Sequence, residues 1–140
     1  MLTRVDLSAC EHPGEGFLGT DVFGNSGLES IALPPTLRVI ERNQFICCKH
    51  LKSVSLGKNS VLEEIESKAF YKTRLRSFVA PPSLRKIGDF AFGCCGTMKR
   101  LELNEGIQEV GRYCFWDTRV KCLVIPPQAS VSRRQLGLFK

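Results

Sequence analysis

Apolar residues along the chain fall into columns that return every 22 to 25 positions. Phe23, Phe45, Phe70, Phe92 and Phe115 recur at intervals of 22, 25, 22 and 23 residues, and five residues before each stands Leu18, Ile40, Ile65, Ile87 or Val110. Five or six residues after each phenylalanine a triplet begins, with apolar residues at relative positions 0, +3 and +5. It reads Leu28-Ile31-Leu33, Leu51-Val54-Leu56, Leu75-Phe78-Ala80, Met98-Leu101-Leu103 and Val120-Leu123-Ile125. Leu2-Val5-Leu7 supplies a sixth copy without an upstream phenylalanine unit.

The +3 and +5 positions alternate with polar or small residues, the period of a short strand with one face buried. Turn material follows each triplet. Pro34-Pro35, Pro81-Pro82 and Pro126-Pro127 hold extended backbone, whereas Gly57-Lys58-Asn59 and Asn104-Glu105-Gly106 turn with different chemistry. A second apolar pair then returns the chain: Leu37/Ile40, Leu62/Ile65, Leu84/Ile87 and Ile107/Val110. No unit is long enough to bury its own apolar face, so stacking neighbours is the way to take the columns out of water.

The expected fold is therefore a mostly β solenoid of α/β type, with about five to six parallel short strands on its concave face. Its units span about 1–17, 18–36, 37–61, 62–83, 84–106 and 107–127, so that 1–127 forms the repeat domain and 128–140 a basic tail or partial cap. Leu136, Leu138 and Phe139 are candidates to fold back over the last coil.

Two segments per unit carry a resemblance. The strand half, L-x-x-L-x-L-x-x-[N/C], is visible as Leu2 to Cys10 and Leu51 to Asn59, and resembles the leucine-rich repeat. Thr36, Ser83, Gly106 and Gln128 stand in place of the Asn or Cys elsewhere. The other half, I-x-x-x-A-F-x-x-C-x-x-L, seen in Ile65-Glu66-Ser67-Lys68-Ala69-Phe70 and Ile87-Gly88-Asp89-Phe90-Ala91-Phe92-Gly93-Cys94-Cys95, looks like the BspA-type subclass. That resemblance covers residues 2–127. It implies a right-handed coil and, since such repeats occur among surface antigens and adhesins, protein or matrix binding.

Composition narrows the function. The chain has 140 residues, an ordinary hydrophobic fraction of 43%, and no apolar run approaching a membrane span. Its first residues, MLTRVDLSACEHPGEG, hold no apolar block of signal-peptide type, so a cytoplasmic location is the default and a cell-surface one the expectation from the resemblance. Formal charge is +6, but Arg133, Arg134 and Lys140 lie in an acid-free tail, and without them +3 remains. That excess is below what a dedicated nucleic-acid binder carries. Seven cysteines, with adjacent pairs at Cys47-Cys48 and Cys94-Cys95 and no C-x-x-C spacing, point to reduced thiols.

Candidate contacts come from the columns between the apolar ones. The +1 column is Thr3, Glu29, Lys52, Arg76, Lys99 and Lys121, expected to project from the concave sheet with Arg100 beside it. Stacked like charges repel unless an anion lies across them; solvated cations relieved by Glu102 and nearby acids are the alternative. Directly after the phenylalanines come Gly24, Ile46, Tyr71, Gly93 and Trp116, where Tyr71 and Trp116 could anchor a partner or pack on the next coil. Ser26, Cys48, Thr73, Cys95 and Thr118, three residues after each phenylalanine, suit a tight turn whose backbone they bond, and Cys47 and Cys94 are the candidates for exposed thiols.

Catalysis has little to stand on. His12 and His50 are the two histidines. Cys10, Glu11 and His12 are neighbours in sequence only, and no phosphate loop of the form G-x-x-x-x-G-K-[ST] occurs. No catalytic, cofactor or metal site is expected. The function expected first is a protein-interaction module in which Lys52, Arg76, Lys99, Arg100 and Lys121, with Tyr71 and Trp116, meet an acidic protein or glycan. A structural piece of a longer array, associating end to end without a ligand of its own, is second. Weak binding of a polyanion or nucleic acid is third.

Overall fold

The computed structural model describes residues 3–10, 19–129 and 131–138. Leu2, Glu11, His12, Leu18, Phe139 and Lys140, to which the expectations above refer, lie outside them. All regular elements among the described residues are strands, and the chain winds as a stack of coils with two ladders.

One ladder carries three-residue strands: β1 (Arg4–Asp6), β2 (Ser30–Ala32), β4 (Ser53–Ser55), β6 (Ser77–Val79), β8 (Arg100–Glu102) and β10 (Cys122–Val124). The other carries two-residue strands: β3 (Val39–Ile40), β5 (Glu64–Ile65), β7 (Lys86–Ile87) and β9 (Glu109–Val110). Every pairing is parallel. The +3 residues meet across the first ladder as Val5↔Ile31↔Val54 and Phe78↔Leu101↔Leu123. The returning pair, read from sequence as a plain connection, is itself a ladder, Ile40↔Ile65↔Ile87↔Val110. Two residues per coil are too few to display an alternation, so only neighbouring coils reveal that these segments are strands.

Among the described residues no helix connects the ladders. Around each phenylalanine the chain turns twice through left-handed backbone, two residues before it at Asp21, Asn43, Lys68, Phe90 and Tyr113, and two after it at Asn25, Cys47, Lys72, Cys94 and Asp117. These residues have φ between 53° and 60°. Between the two turns the phenylalanine is driven inward. The rings of Phe23, Phe45, Phe70, Phe92 and Phe115 then stack with centroids 5.3, 5.1, 5.1 and 4.9 Å apart. The spacing follows the rise of about 4.8 Å between adjacent strands. Phe45, Phe92 and Phe115 are wholly buried, and each such ring contributes about 1.5–3 kcal/mol.

In the small column three residues after each phenylalanine, Cys48, Cys95 and Thr118 bond phenylalanine carbonyls, whereas Ser26 and Thr73 meet the cysteine sulfur of the next coil. Cys48 Sγ donates to the Phe23 carbonyl at 2.9 Å, Cys95 Sγ to that of Phe70 at 3.2 Å, and Thr118 Oγ1 to that of Phe115 at 2.8 Å. At the C-terminal end, the Phe115 amide donates to the Leu136 carbonyl at 2.7 Å. Leu136 thereby takes the place that Ala69, Ala91 and Cys114 hold for Phe45, Phe70 and Phe92, and its side chain is fully buried.

The first ladder is interrupted once. It divides into β1-β2-β4 and β6-β8-β10, with no pairing between β4 and β6. The interruption coincides with a longer coil: Ile65 stands 11 positions after Val54, against nine from Ile31 to Ile40, from Phe78 to Ile87 and from Leu101 to Val110. The extra pair enlarges the turn through Gly57 and Asn59, both of positive φ.

Candidate interaction surfaces

The positions that point outward from the three-residue strands are +2 and +4, because the buried +3 residue lies between them. From β2 through β6 they are Ser30, Ala32, Ser53, Ser55, Ser77 and Val79, a strip of small side chains. The cationic +1 column therefore does not project from the strands, as the alternation led us to expect. Lys52, Arg76, Lys99 and Lys121 each stand one residue ahead of a strand, along the margin of the ladder, and all four are exposed.

Backbone bonds hold this margin in line. The Lys99 amide donates to the Arg76 carbonyl at 2.9 Å and the Lys121 amide to the Lys99 carbonyl at 2.8 Å, while Lys52 donates to Glu29 at 2.8 Å. Arg76, Lys99 and Lys121 thus form one run, with Lys52 across the β4–β6 interruption. Arg100 is different. It lies on β8, faces out, and is paired with Glu102 two residues on. Among the described residues no carboxylate lies within ion-pair distance of Lys52, Arg76, Lys99 or Lys121.

The two-residue ladder shows the opposite arrangement. Glu64, Lys86 and Glu109 follow one another across β5, β7 and β9, and the Lys86 ammonium lies 3.3 Å from Glu64 and 3.9 Å from Glu109. The hydrogen bond that Lys86 donates to Glu64, with the negative charges of Glu64 and Glu109, raises Lys86 above the usual lysine range. One ladder sets opposite charges side by side, and the margin of the other does not.

Tyr71 and Trp116 are brought together through a residue that sequence reasoning passed over. The Phe90 ring meets Tyr71, Tyr113 and Trp116 edge to face, at 6.4, 5.7 and 6.2 Å. Phe90 and Tyr113 occupy the left-handed position two before the core phenylalanine, where Asp21, Asn43 and Lys68 stand in earlier coils, so no shared column announces them. Lys68 and Lys72 approach the Tyr71 ring at 5.8 and 5.5 Å. Tyr71 also leans over Gly93, where a Cβ would come within 3.0 Å of its ring.

The remaining candidates separate cleanly. Cys47 and Cys94 are half-buried, and the exposed thiol is Cys122, on the outward face of β10. The Cys94 sulfur lies 3.6 Å from the Tyr71 hydroxyl, and this contact, with burial, raises the Tyr71 pKa. Burial pushes Cys95 up to about 11 and Cys114 up to about 12, so both stay protonated and unreactive at neutral pH. His50 is exposed. Among the described residues no three His, Cys, Asp or Glu side chains gather to hold a metal ion, and no helix is long and apolar enough to cross a membrane.

Known proteins match this geometry. The leucine-rich repeat protein of T. pallidum is 26% identical over 89% of this chain and 53% of its own, with a TM-score of 0.71. A leucine-rich repeat protein from Bacteroides ovatus is 25% identical over 89% of this chain and 32% of its own, with a TM-score of 0.72. The pneumococcal vaccine antigen PcpA is 28% identical over 69% of this chain and 27% of its own, with a TM-score of 0.58. The chain thus spans about half, or less, of the length of these proteins. No curated protein matches it significantly. The BspA-type leucine-rich repeat region matches residues 17–138 in 6 copies. With its stacked phenylalanines and paired ladders already in that register, the chain belongs to the BspA-type leucine-rich repeat family.

Proposed function

We propose that this chain is a non-catalytic interaction module that binds an acidic segment of a protein partner along the margin of its three-residue-strand ladder. The observation that carries this is the contrast between the ladders: Glu64, Lys86 and Glu109 alternate in sign, while Arg76, Lys99 and Lys121 stack one sign with Lys52 across the interruption, and among the described residues none of the four has a carboxylate within ion-pair distance. A column of like charges costs free energy in the free protein, and an anionic partner relieves it. Arg100 contributes more weakly, since Glu102 already occupies it. Tyr71 and Trp116 lie in the turns around the core phenylalanines and supply apolar contact if the partner reaches that side.

The test is a triple charge reversal, Lys52→Glu, Arg76→Glu and Lys121→Glu. Proteins retained by the immobilised wild-type chain are expected to be lost from the variant, while far-ultraviolet circular dichroism stays unchanged and the melting temperature does not fall. An identical set of retained proteins sinks the reading. Retention of nucleic acid that falls steeply with salt would favour the polyanion alternative. For location, the description of the pneumococcal neighbour as a vaccine antigen supports a cell-surface setting.

A further inference from the structure

The interruption between β4 and β6 leaves more than missing hydrogen bonds. Between these strands a cleft of about 270 Å³ opens inward, lined by Val54 and Leu56 on one side, Phe78 on the other, and Ile40 and Phe70 beneath. Phe78 holds the position that Ile31, Val54, Leu101 and Leu123 hold in the other coils. Its ring leans onto Phe92 at 4.6 Å and towards Phe115 at 6.4 Å, away from Val54. The enlarged turn through Gly57 and Asn59 follows directly on Leu56. At other junctions Leu33 donates to Ser55 at 2.8 Å and Ala80 to Glu102 at 2.9 Å, but no such bond joins Leu56 to Val79.

The cleft is held open rather than loose. On one flank β5 pairs with β7, and on the other the Arg74 amide donates to the Leu51 carbonyl at 2.9 Å. Its mouth is marked by Ser77 and by Val79, an apolar side chain 53% exposed on the outward face of β6. Lys52 and Arg76, the residues immediately ahead of β4 and β6, stand at the margin of this same junction, exposed and without a carboxylate in reach.

An apolar hollow of this size lies at the lower limit of small-ligand pockets, about 300 Å³, and suits one large side chain. The small residues leading to it, Ser30, Ser53 and Ser55, let an extended backbone approach the sheet closely. We infer that the β4–β6 cleft seats a single bulky apolar side chain of the acidic partner segment, with the partner's carboxylates next to that anchor meeting Lys52 and Arg76. This rests on the acidic-partner reading and refines it: the cations select the segment, and the cleft sets its register.

The test selects octapeptides from a random displayed library on the folded wild-type chain, on Ser77→Trp and on Val54→Leu. Ser77→Trp closes the mouth from the exposed face, so it leaves the core intact if Val54→Leu proves unstable. The expected wild-type consensus is one Leu, Ile, Met or Phe flanked by Asp or Glu. A synthetic consensus peptide should bind about tenfold to hundredfold more tightly than its anchor-to-Ser analogue, the range expected for burying one such side chain, and the cleft variants should remove that difference. An acidic consensus with no apolar anchor, or an anchor preference unchanged in both variants, overturns the cleft and leaves the acidic-partner reading standing. An apolar consensus without acids, or no enrichment at all, overturns both. Concentration-dependent dimers of the wild-type chain that Ser77→Trp abolishes would make a second copy the occupant and likewise overturn the proposal.

Discussion

The rings of Phe45 and Phe70 lie 5.1 Å apart and within 1° of parallel, although they stand 25 positions apart in the chain. The next two rings, Phe70 and Phe92, are 22 residues apart and keep the same 5.1 Å. Ring spacing is therefore independent of coil length. Left-handed turns stand on either side of each phenylalanine, and of the three extra residues of the longer coil one lies between Phe45 and Leu51 and two in the turn after β4.

Phe70 lies within this stack, its ring between those of Phe45 and Phe92, and it also lines the floor of the β4–β6 cleft. Replacing it with alanine removes both ring contacts and leaves a void in a solenoid whose coils depend on their neighbours. Phe70→Ala is expected to cost about 3–5 kcal/mol, against a smaller loss for Phe70→Leu. Urea denaturation of the two variants checks this. A Phe70→Leu midpoint equal to that of the wild type would mean that the ring stack contributes no more than any apolar filling.

Cys47 has φ of 56° and its thiol is half-buried. A Cβ in this backbone region costs about 1–2 kcal/mol, and glycine avoids that cost while adding freedom to the unfolded chain. Cys47→Gly is expected to be more stable than Cys47→Ala by about 1 kcal/mol, read as a difference in melting temperature. The prediction fails if alanine matches glycine, because both lack the thiol and only the backbone preference separates them.

Burial raises Cys95 from an ordinary value of 9.0 to about 11. Between these values an unfolded thiol has lost its proton while the folded one keeps it, so the unfolded chain binds fewer protons and stability falls as pH rises. Below about pH 9 the contribution is complete, and it is gone once pH has risen through about 11. Thermal melts from about pH 8 to about pH 10.5 should therefore fall less steeply for Cys95→Ala than for the wild type. Parallel slopes would show that Cys95 ionises as readily folded as unfolded. Cys114, pushed up to about 12 chiefly by burial, acts in the same direction, so the double variant should be flatter still.

The candidate surfaces were partly legible before the fold. Lys52, Arg76, Lys99 and Lys121 share one offset from their triplets, and an offset repeated in a stack becomes a line in space. Their orientation was not legible: +1 lies outside a strand only three residues long, so alternation counted from the triplet placed it on the wrong part of the face. Tyr71 and Trp116 share an offset too, but Phe90 and Tyr113, which join them into one aromatic group, stand in a column otherwise filled by Asp, Asn and Lys.

The amino-acid sequence by itself determined that the chain stacks, which residues lie inside, and which cations fall in line, because a short unit with apolar residues at repeated offsets can hide them only against copies of itself. Tertiary structure alone decided that the returning pairs are strands, that the front ladder breaks after β4, and that Phe78 leans away from Val54 to leave a cleft there. Those outcomes depend on how one coil meets the next. A two-residue difference in turn length and the direction a single ring takes have no periodic signature, and they acquire consequence only when a neighbouring coil is present to pair with or to part from.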